Sequence, residues 1–586
     1  MRYLAFALIA VAATSARPAA QTPRSDTAEA RRVFEANIDA IHKRDRARYL
    51  SYYLQTDKLA RNGPAGLELG FASWSARRDS TWPDTLVARD LRLVSIAPGV
   101  VYGTYHYRVT QGGETSEGIS ERVFLKKPGG WKIGVSTAFD LPNGAAPPPV
   151  VLTGGTLINP GKPGVPDAAI VVRGGRVVCA GARAECKAPA EAETVDATGM
   201  FITPGLVDAH VHYSQTGWVD GRPDALDVRA QFPYDSVVAA LQDHPDRFNR
   251  AYLCSGVTSV FDVGGYPWTL RLSKKQEREL LSPRVAASGP LLATVDHWVN
   301  TATMRQFLHM KDDSTVRAAV RSMARLGSNA IKVWYLQLPD SAQPRARALL
   351  MAAGEEAKRA NLPLIVHATE LARSKEALQA GATVLVHSVA PELIDDEFIT
   401  LAKRNGTIVI PTLTVYEGYL DVFEGRSPAA RYPLECVDAA SRANLERSLP
   451  ASNRSARVER MRRFEHGVRE ATIRNIRRMH EAGIPIAMGT DAGNPGTAHG
   501  PSVHREMEAL QAAGIPAADV LASSTVIAAR AMRRDDIGVL EAGKLADLVV
   551  FEADPTADIA NARRIRMVMK GGALYGRKEL LPARKP

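Results

Sequence analysis

Between Leu206 and Asp491, short apolar runs alternate with longer amphipathic stretches. The runs are Leu206-Val-Asp, Val257-Thr-Ser-Val-Phe-Asp262, Val285-Ala-Ala-Ser-Gly, Ala330-Ile-Lys-Val-Trp334, Leu364-Ile-Val-His, Thr383-Val-Leu-Val-His, Thr407-Ile-Val-Ile-Pro and Ile486-Ala-Met-Gly-Thr-Asp491. Short apolar runs separated by helical spacers are the pattern of parallel strands buried on both faces. Eight such runs are the number a TIM-type (β/α)8 barrel requires, so an α/β barrel is predicted over 206–537. Short β-like segments with turn residues lie before it, in Leu152-Thr-Gly-Gly-Thr-Leu, Ala169 to Val178 and Val195 to Gly205. Similar material returns in Leu545 to Phe551 and Ile565 to Lys570. Two flanks of this kind, 150–205 and 538–586, predict one small β-sandwich built from both ends of the unit.

Residues 25–142 carry a different pattern. A helical stretch from Thr27 to Tyr53 precedes alternating segments at Val87–Ile96, Val100–Thr110 and Ile119–Leu125, ending at Trp131–Ser136. Helix first and an antiparallel sheet afterwards describe a separate α+β domain. The stretch 143–149, Asn-Gly-Ala-Ala-Pro-Pro-Pro, is a Pro-rich linker between the two. Ahead of everything stand Met1-Arg2-Tyr3, an apolar run from Leu4 to Ala13 and small residues to Ala20, the signature of a cleaved signal peptide over 1–20. That run is too short for a membrane anchor, and no cysteine lies between Ala10 and Gln21 to carry a lipid. A periplasmic or secreted protein is expected, without a membrane association after cleavage.

Composition refines the picture only a little. A chain of 586 residues, 45% hydrophobic and 23% charged, is ordinary globular material for two to four domains. The net charge of +11 falls to about +9 without Arg2 and Arg17, and the excess is spread along segments such as Arg454 to Arg478. A solvated face explains this spread better than nucleic-acid binding does. The cysteines, Cys179, Cys186, Cys254 and Cys436, lack C-x-x-C spacing, which argues against a cysteine zinc site. Cys179 and Cys186 are the only close pair, and export permits a disulfide whose presence the sequence leaves open.

The chemistry lies at the ends of the runs. In Val207-Asp-Ala-His-Val-His212, His210 and His212 are two residues apart on an extended segment, so both imidazoles face one side. Alone, such a pair is also compatible with two unrelated histidines. Lys332, His367, His387 and Asp491, however, each stand at the end of another predicted strand, and strand ends of a barrel converge on one face. The lysine is the odd member, because an ammonium ion repels a metal. Burial lowers a lysine's pKa, and the neutral amine can take up CO2 to become a bridging carbamate anion; the alternative is a plain cation that pairs with substrate.

These residues and their surroundings resemble the amidohydrolase superfamily, in the branch of imidazolonepropionase-like enzymes and metal-dependent Xaa-Pro dipeptidases. The motifs are Thr203-Pro-Gly-Leu-Val-Asp-Ala-His-Val-His212, Cys254-Ser-Gly-Val-Thr-Ser-Val-Phe-Asp-Val-Gly-Gly265, Ile410-Pro-Thr-Leu413, Gly489-Thr-Asp-Ala-Gly493 and Gly543-Lys-Leu-Ala-Asp-Leu-Val-Val550. The resemblance implies two divalent metal ions, zinc by default, with His210, His212 and Asp491 on one, His367 and His387 on the other, and carboxylated Lys332 between them. It further implies a metal-bridging hydroxide that attacks a carbonyl, with Asp491 as general base and then general acid. His297, after the third run, takes the place where this branch often has Gly-Gly-His; here Val295-Asp296 replace the glycines. His297, Tyr335 and Tyr416 are the candidate substrate contacts, His297 also as a catalytic polarising group. The expected reaction is hydrolysis of a C–N bond in a small amide, dipeptide or cyclic amide. A lactone or phosphotriester hydrolase on the same dinuclear site is the alternative within enzymes, and a non-catalytic ligand-binding protein the alternative outside them. Residues 25–142 resemble the nuclear-transport-factor-2-like or ketosteroid-isomerase-like cone through Arg122-Val-Phe-Leu-Lys-Lys-Pro-Gly-Gly-Trp131-Lys-Ile, which implies an accessory or dimerisation role. A small-molecule or dipeptide substrate is the expected partner, no nucleic acid is, and a homo-oligomer stays open.

Overall fold

A computed structural model of the chain describes residues 23–63, 66–76, 82–111, 114–141, 149–447, 449 and 455–582. The signal segment 1–20 and all but the last residue of the linker 143–149 lie outside the described residues. The chain divides into two units, Met1–Pro147 and Pro148–Pro586.

In the first unit the expected single helix over Thr27–Tyr53 is broken. Arg44 adopts a left-handed conformation (φ 52°), and Asp45 then caps a second helix by accepting from the Arg48 N–H. The helices Pro23–His42 and Arg46–Ser51 lie beside a sheet ordered Gly66–Leu69, Ala60–Gly63, Gly130–Thr137, Glu114–Lys127, Val100–Gln111, Thr85–Ala97. The three long neighbours pair antiparallel, and their inward positions Val101, Tyr105, Tyr107 and Phe124 pack with Ala30, Phe34 and Ile38 of the first helix.

The second unit carries two small sheets and a parallel strand system. One sheet runs Arg176–Ala182, Ala168–Arg173, Val150–Thr153, Glu193–Asp196; the other runs Ala573–Gly576, Ile565–Lys570, Leu548–Phe551, Phe201–Pro204, Thr156–Leu157. The second sheet therefore joins both ends of the unit, and Leu152, Ile170, Ile202, Leu548, Val550 and Met569 form one core across the two sheets.

The parallel strands are β1 (Leu206–Val211), β2 (Val257–Asp262), β3 (Arg284–Ala287), β4 (Leu291–Ala293), β5 (Ile331–Trp334), β6 (Leu364–His367), β7 (Val384–Val386) and β8 (Ile408–Ile410), with a short parallel edge strand, Phe307–His309, beside β4. Helices such as Asp313–Leu326 and Asp396–Asn405 run between them, each started by an aspartate cap (Asp312, Asp395) and stopped by a left-handed glycine (Gly327, Gly406). The arrangement is a TIM-barrel-like α/β fold.

Two expectations are corrected. The third apolar run forms β3, but a further strand that the runs did not include, β4, follows Ser288-Gly-Pro290, so that β3 pairs with β2 and β4 with β5. The eighth run, Ile486–Asp491, forms no ladder strand but single bridges, Ile486 to Val409 and, just beyond the run, Ala492 to Val211. Pro485 lacks an N–H to donate and Asp491 turns left-handed (φ 59°), which breaks the pleat that a ladder needs. Two disulfides are present, Cys179–Cys186 and Cys254–Cys436. The second joins residues 182 positions apart and has no counterpart in the spacing argument, since only the fold brings the two together.

Candidate metal centre

Interstrand bonds deliver the first three ligand candidates to one place. The Asp491 N–H donates to the His210 carbonyl (2.8 Å) and the His212 N–H to the Ala492 carbonyl (2.8 Å). Asp491 Oδ1 then lies 2.9 Å from His212 Nε2 and 3.2 Å from His210 Nε2, while His387 Nδ1 is 4.0 Å from Oδ2. The ring of His367 stands 4.5 Å from that of His387, and His387 stands 5.2 Å from His210. Lys332 is 3% exposed and shares this electrostatic neighbourhood with Asp491, His210, His367 and His387. All six residues predicted as ligands are thus gathered, from β1, β5, β6, the end of β7 and the turn after Gly489.

The site is electrostatically prepared. Burial lowers the pKa of His387 to about 4 and those of His210 and His367 well below the usual imidazole value, so the rings are neutral at pH 7 and their lone pairs are available. Burial likewise brings Lys332 down to about 7, against the opposing pull of Asp491. Burial alone would raise the Asp491 carboxyl, but His210, His212 and His387 outweigh it and hold it ionised. His212 donates Nδ1–H to the Gly264 carbonyl (2.6 Å), which turns its Nε2 lone pair toward Asp491. His387 Nδ1 is 2.7 Å from Thr412 Oγ1. Asp491 Oδ1 and His210 Nδ1 have no hydrogen-bond partner although both are buried. His210, His387 and Asp491 each offer a donor atom within 4.8 Å of the others. Neutral imidazoles, an ionised carboxylate and an orphaned buried oxygen are a donor set that fits a divalent cation.

Residues 201–574 match the Amidohydrolase family. The chain belongs to that family. As an amidohydrolase it is a hydrolase acting on carbon–nitrogen bonds. The imidazolonepropionase of Shouchella clausii (strain KSM-K16) is 27% identical over 429 residues, covering 69% of this chain and 84% of the relative. That of Pseudomonas syringae pv. tomato is 25% identical over 402 residues, covering 67% and 90%. Among solved structures, a Xaa-Pro dipeptidase with bound methionine in its active site superposes with a TM-score of 0.56 at 23% identity, over 73% of this chain and all (100%) of that one. Molinate hydrolase superposes at 0.57 with 21% identity, over 76% and 98%. These structures share the fold of this amidohydrolase.

The candidate substrate contacts fare differently. His297 is half-buried against Phe307 and Trp334, and Trp334 in turn stands 6.1 Å from His367, so His297 lies one ring removed from the ligand cluster. Tyr416 lies in the field of Asp491, and burial pushes its hydroxyl up to about 12. Tyr335 is corrected: it is fully buried on the outer side of β5, where its hydroxyl donates to Glu376 (2.6 Å) and accepts from Gln343 (2.9 Å) on flanking helices. Strand alternation explains this, because Lys332 and Trp334 take one side and Val333 and Tyr335 the other.

Sequence reasoning passed over the residues that hold the ligands in place. Asp208 accepts from Thr490 Oγ1 (2.6 Å) and the Thr490 N–H (3.0 Å), pinning the segment that leads to Asp491. Asp262 accepts from the Tyr213 N–H (2.8 Å) just after His212. Arg222, paired with Asp224 at 2.8 and 2.9 Å, also reaches Asn494, which accepts from the Tyr419 hydroxyl (2.9 Å). Position in the motif could have found Asp208; nothing in the linear order pairs Arg222 with Asn494.

Proposed function

We propose that this chain is an exported, metal-dependent amidohydrolase that cleaves the C–N bond of a small amide, dipeptide or cyclic amide. The observation that carries the reading is the convergence of the imidazoles of His210, His212, His367 and His387 and of Lys332 around one ionised, buried carboxylate, Asp491. His210, His212 and Asp491 would hold one divalent ion, His367 and His387 a second, with Lys332 carboxylated between them. Bound there, such ions supply an activated water at neutral pH and Lewis acidity toward the substrate carbonyl. The Lys332 amine, neutral in a substantial fraction near pH 7, attacks CO2 through Nζ and releases a proton, leaving the carbamate anion. Asp491, held ionised, takes the proton of the attacking water on a carboxylate oxygen and passes it to the departing nitrogen. Arg222 with Asn494, and Tyr416, stand beside Asp491 as groups that orient substrate.

The test is metal content per chain of the purified mature protein, measured together with hydrolysis of a panel of Xaa-Pro dipeptides and N-acyl amino acids, for wild type and Asp491→Asn. About two ions per chain with turnover reduced by roughly 100-fold or more in the variant supports the mechanism. A wild type that fails to bind added zinc overturns it.

A further inference from the structure

Exposure is uneven around the metal centre. His210, His212, Lys332 and Asp491 are buried, while His367 and His387 keep part of their surface open. The centre therefore opens on the side of His367 and His387, and aromatic rings border that opening. The half-buried Trp334 ring stands 6.1 Å from His367, Phe307 lies 5.2 Å from Trp334, and His297 lies 4.5 Å from Phe307 and 4.9 Å from Trp334. Trp298 continues the row outward at 51% exposure, its ring nearly parallel to that of His297 (11°).

Hydrogen bonds hold this row in place. The Asn300 side chain donates to the His297 carbonyl (2.9 Å) and accepts from the N–H groups of Gln306 (2.9 Å) and Phe307 (3.1 Å). One amide thus ties the His297 loop to the edge strand Phe307–His309. The Val299 N–H donates to His297 Nδ1 (3.2 Å), which sets the orientation of that ring. From the loop after β1, Arg229, paired with Asp227 at 2.7 and 2.9 Å, lies 4.5 Å over the Trp298 ring. Rings left partly in water at the edge of a site are apolar surface that a ligand can cover. Fixed aromatic faces and edges favour an aromatic ligand beyond what burial alone provides.

The proton path gives the direction. In the proposed reaction Asp491 protonates the departing nitrogen, so the amine fragment lies toward Asp491 and its neighbours Arg222 and Asn494. The acyl fragment then extends the other way, past His367 along the rings.

We propose that Trp334, Phe307, His297 and Trp298 form an acyl-side subsite, and that the substrate is an amide whose acyl fragment carries an aryl group. The assignment of the ring to the acyl fragment rests on the hydrolase reading above.

The experiment compares N-(3-phenylpropanoyl)glycine with N-(3-cyclohexylpropanoyl)glycine, whose ring is as bulky and more hydrophobic but has no π face. Zinc-loaded wild type should show a kcat/KM about fivefold or more higher for the aryl amide. Calorimetric titration of the free acids, 3-phenylpropanoate and 3-cyclohexylpropanoate, should give the same order without turnover. Trp334→Leu should bring the aryl-to-cyclohexyl ratio to one or below, and Trp298→Ala, a change at an exposed position, should shrink it; metal content per chain verifies that each variant keeps its centre. An equal or reversed order in the wild type, in turnover or in binding, overturns the subsite, and turnover of both amides at equal kcat/KM does so while leaving the hydrolase reading intact. Failure to bind either acid also overturns it, as does an undiminished ratio in folded, metal-loaded Trp334→Leu. Preferred binding of the aryl acid without turnover of either amide supports the ring subsite and counts against the hydrolase reading.

Discussion

Two residues of the metal centre owe their form to how closely the chain packs around them. Gly489 has no room for a side chain: a Cβ there would sit 2.5 Å from Ile410 Cγ2 and 2.9 Å from the His210 N and Cβ atoms. Gly489→Ala should therefore displace His210, costing about 1–3 kcal/mol of stability and lowering metal occupancy, read by thermal denaturation and plasma emission. Lys332 owes its lowered pKa of about 7 to burial. If its amine is the carbamate precursor, reconstitution with zinc in CO2-free buffer should load fewer ions than reconstitution with bicarbonate, and Lys332→Arg should be blind to bicarbonate. At this scale the sequence was informative about identity and silent about direction. The spacing of His210 and His212 put both rings on one side, but Tyr335, the residue directly after Trp334 and the end of β5, was misplaced because proximity along the chain outweighed parity.

The helix Leu413–Glu424 shows how an element, rather than a residue, fixes a ligand. Its first two N–H groups, of Leu413 and Thr414, both donate at 2.8 Å to Glu506, a buried carboxylate on the helix Ser502–Ala512. Thr412, immediately before them and left-handed (φ 52°), contacts His387. Glu506 thus anchors the helix start that carries the His387 partner. Burial raises the Glu506 pKa from 4.5 to about 7, against the lowering effect of those two bonds. With the folded value above the unfolded one, the folded state binds the extra proton between pH 4.5 and about 7. The associated stability is fully present below pH 4.5 and is lost as the pH rises through about 7. Melting temperature measured across that window should fall more steeply for wild type than for Glu506→Gln, which cannot titrate. Apolar periodicity made most of the parallel strands legible, since buried strands must be apolar wherever they pair. It missed the strand Leu291–Ala293, because three apolar residues directly after Ser288-Gly-Pro290 are too short a run to stand out.

For the whole molecule, the Cys254–Cys436 disulfide closes a loop of 182 residues inside the second unit. Loop-closure entropy gives it a stabilisation of up to about 5 kcal/mol; the double Cys→Ala variant should melt at clearly lower temperature in non-reducing buffer, and reduced wild type should match it. The Cys179–Cys186 bridge closes only 7 residues and should contribute less. The six candidate ligand residues all lie within Pro148–Pro586. A chain beginning at residue 149 should keep its metal uptake and its hydrolysis of the substrate panel, read by metal analysis and turnover assays.

The sequence by itself determined which residues the fold gathers in the candidate metal centre, because His, Asp and a buried Lys at strand ends are types with few other uses there. It also determined the parallel α/β plan and the shared use of both flanks in one sheet, because buried strands advertise themselves by composition. Only the tertiary structure decided what depends on contacts between distant segments. These are the approach of Asp491 to His210 and His212, the Asp208–Thr490 clasp and the Cys254–Cys436 bridge. Each joins residues far apart along the chain, and linear spacing carries no information about a distance that only packing sets.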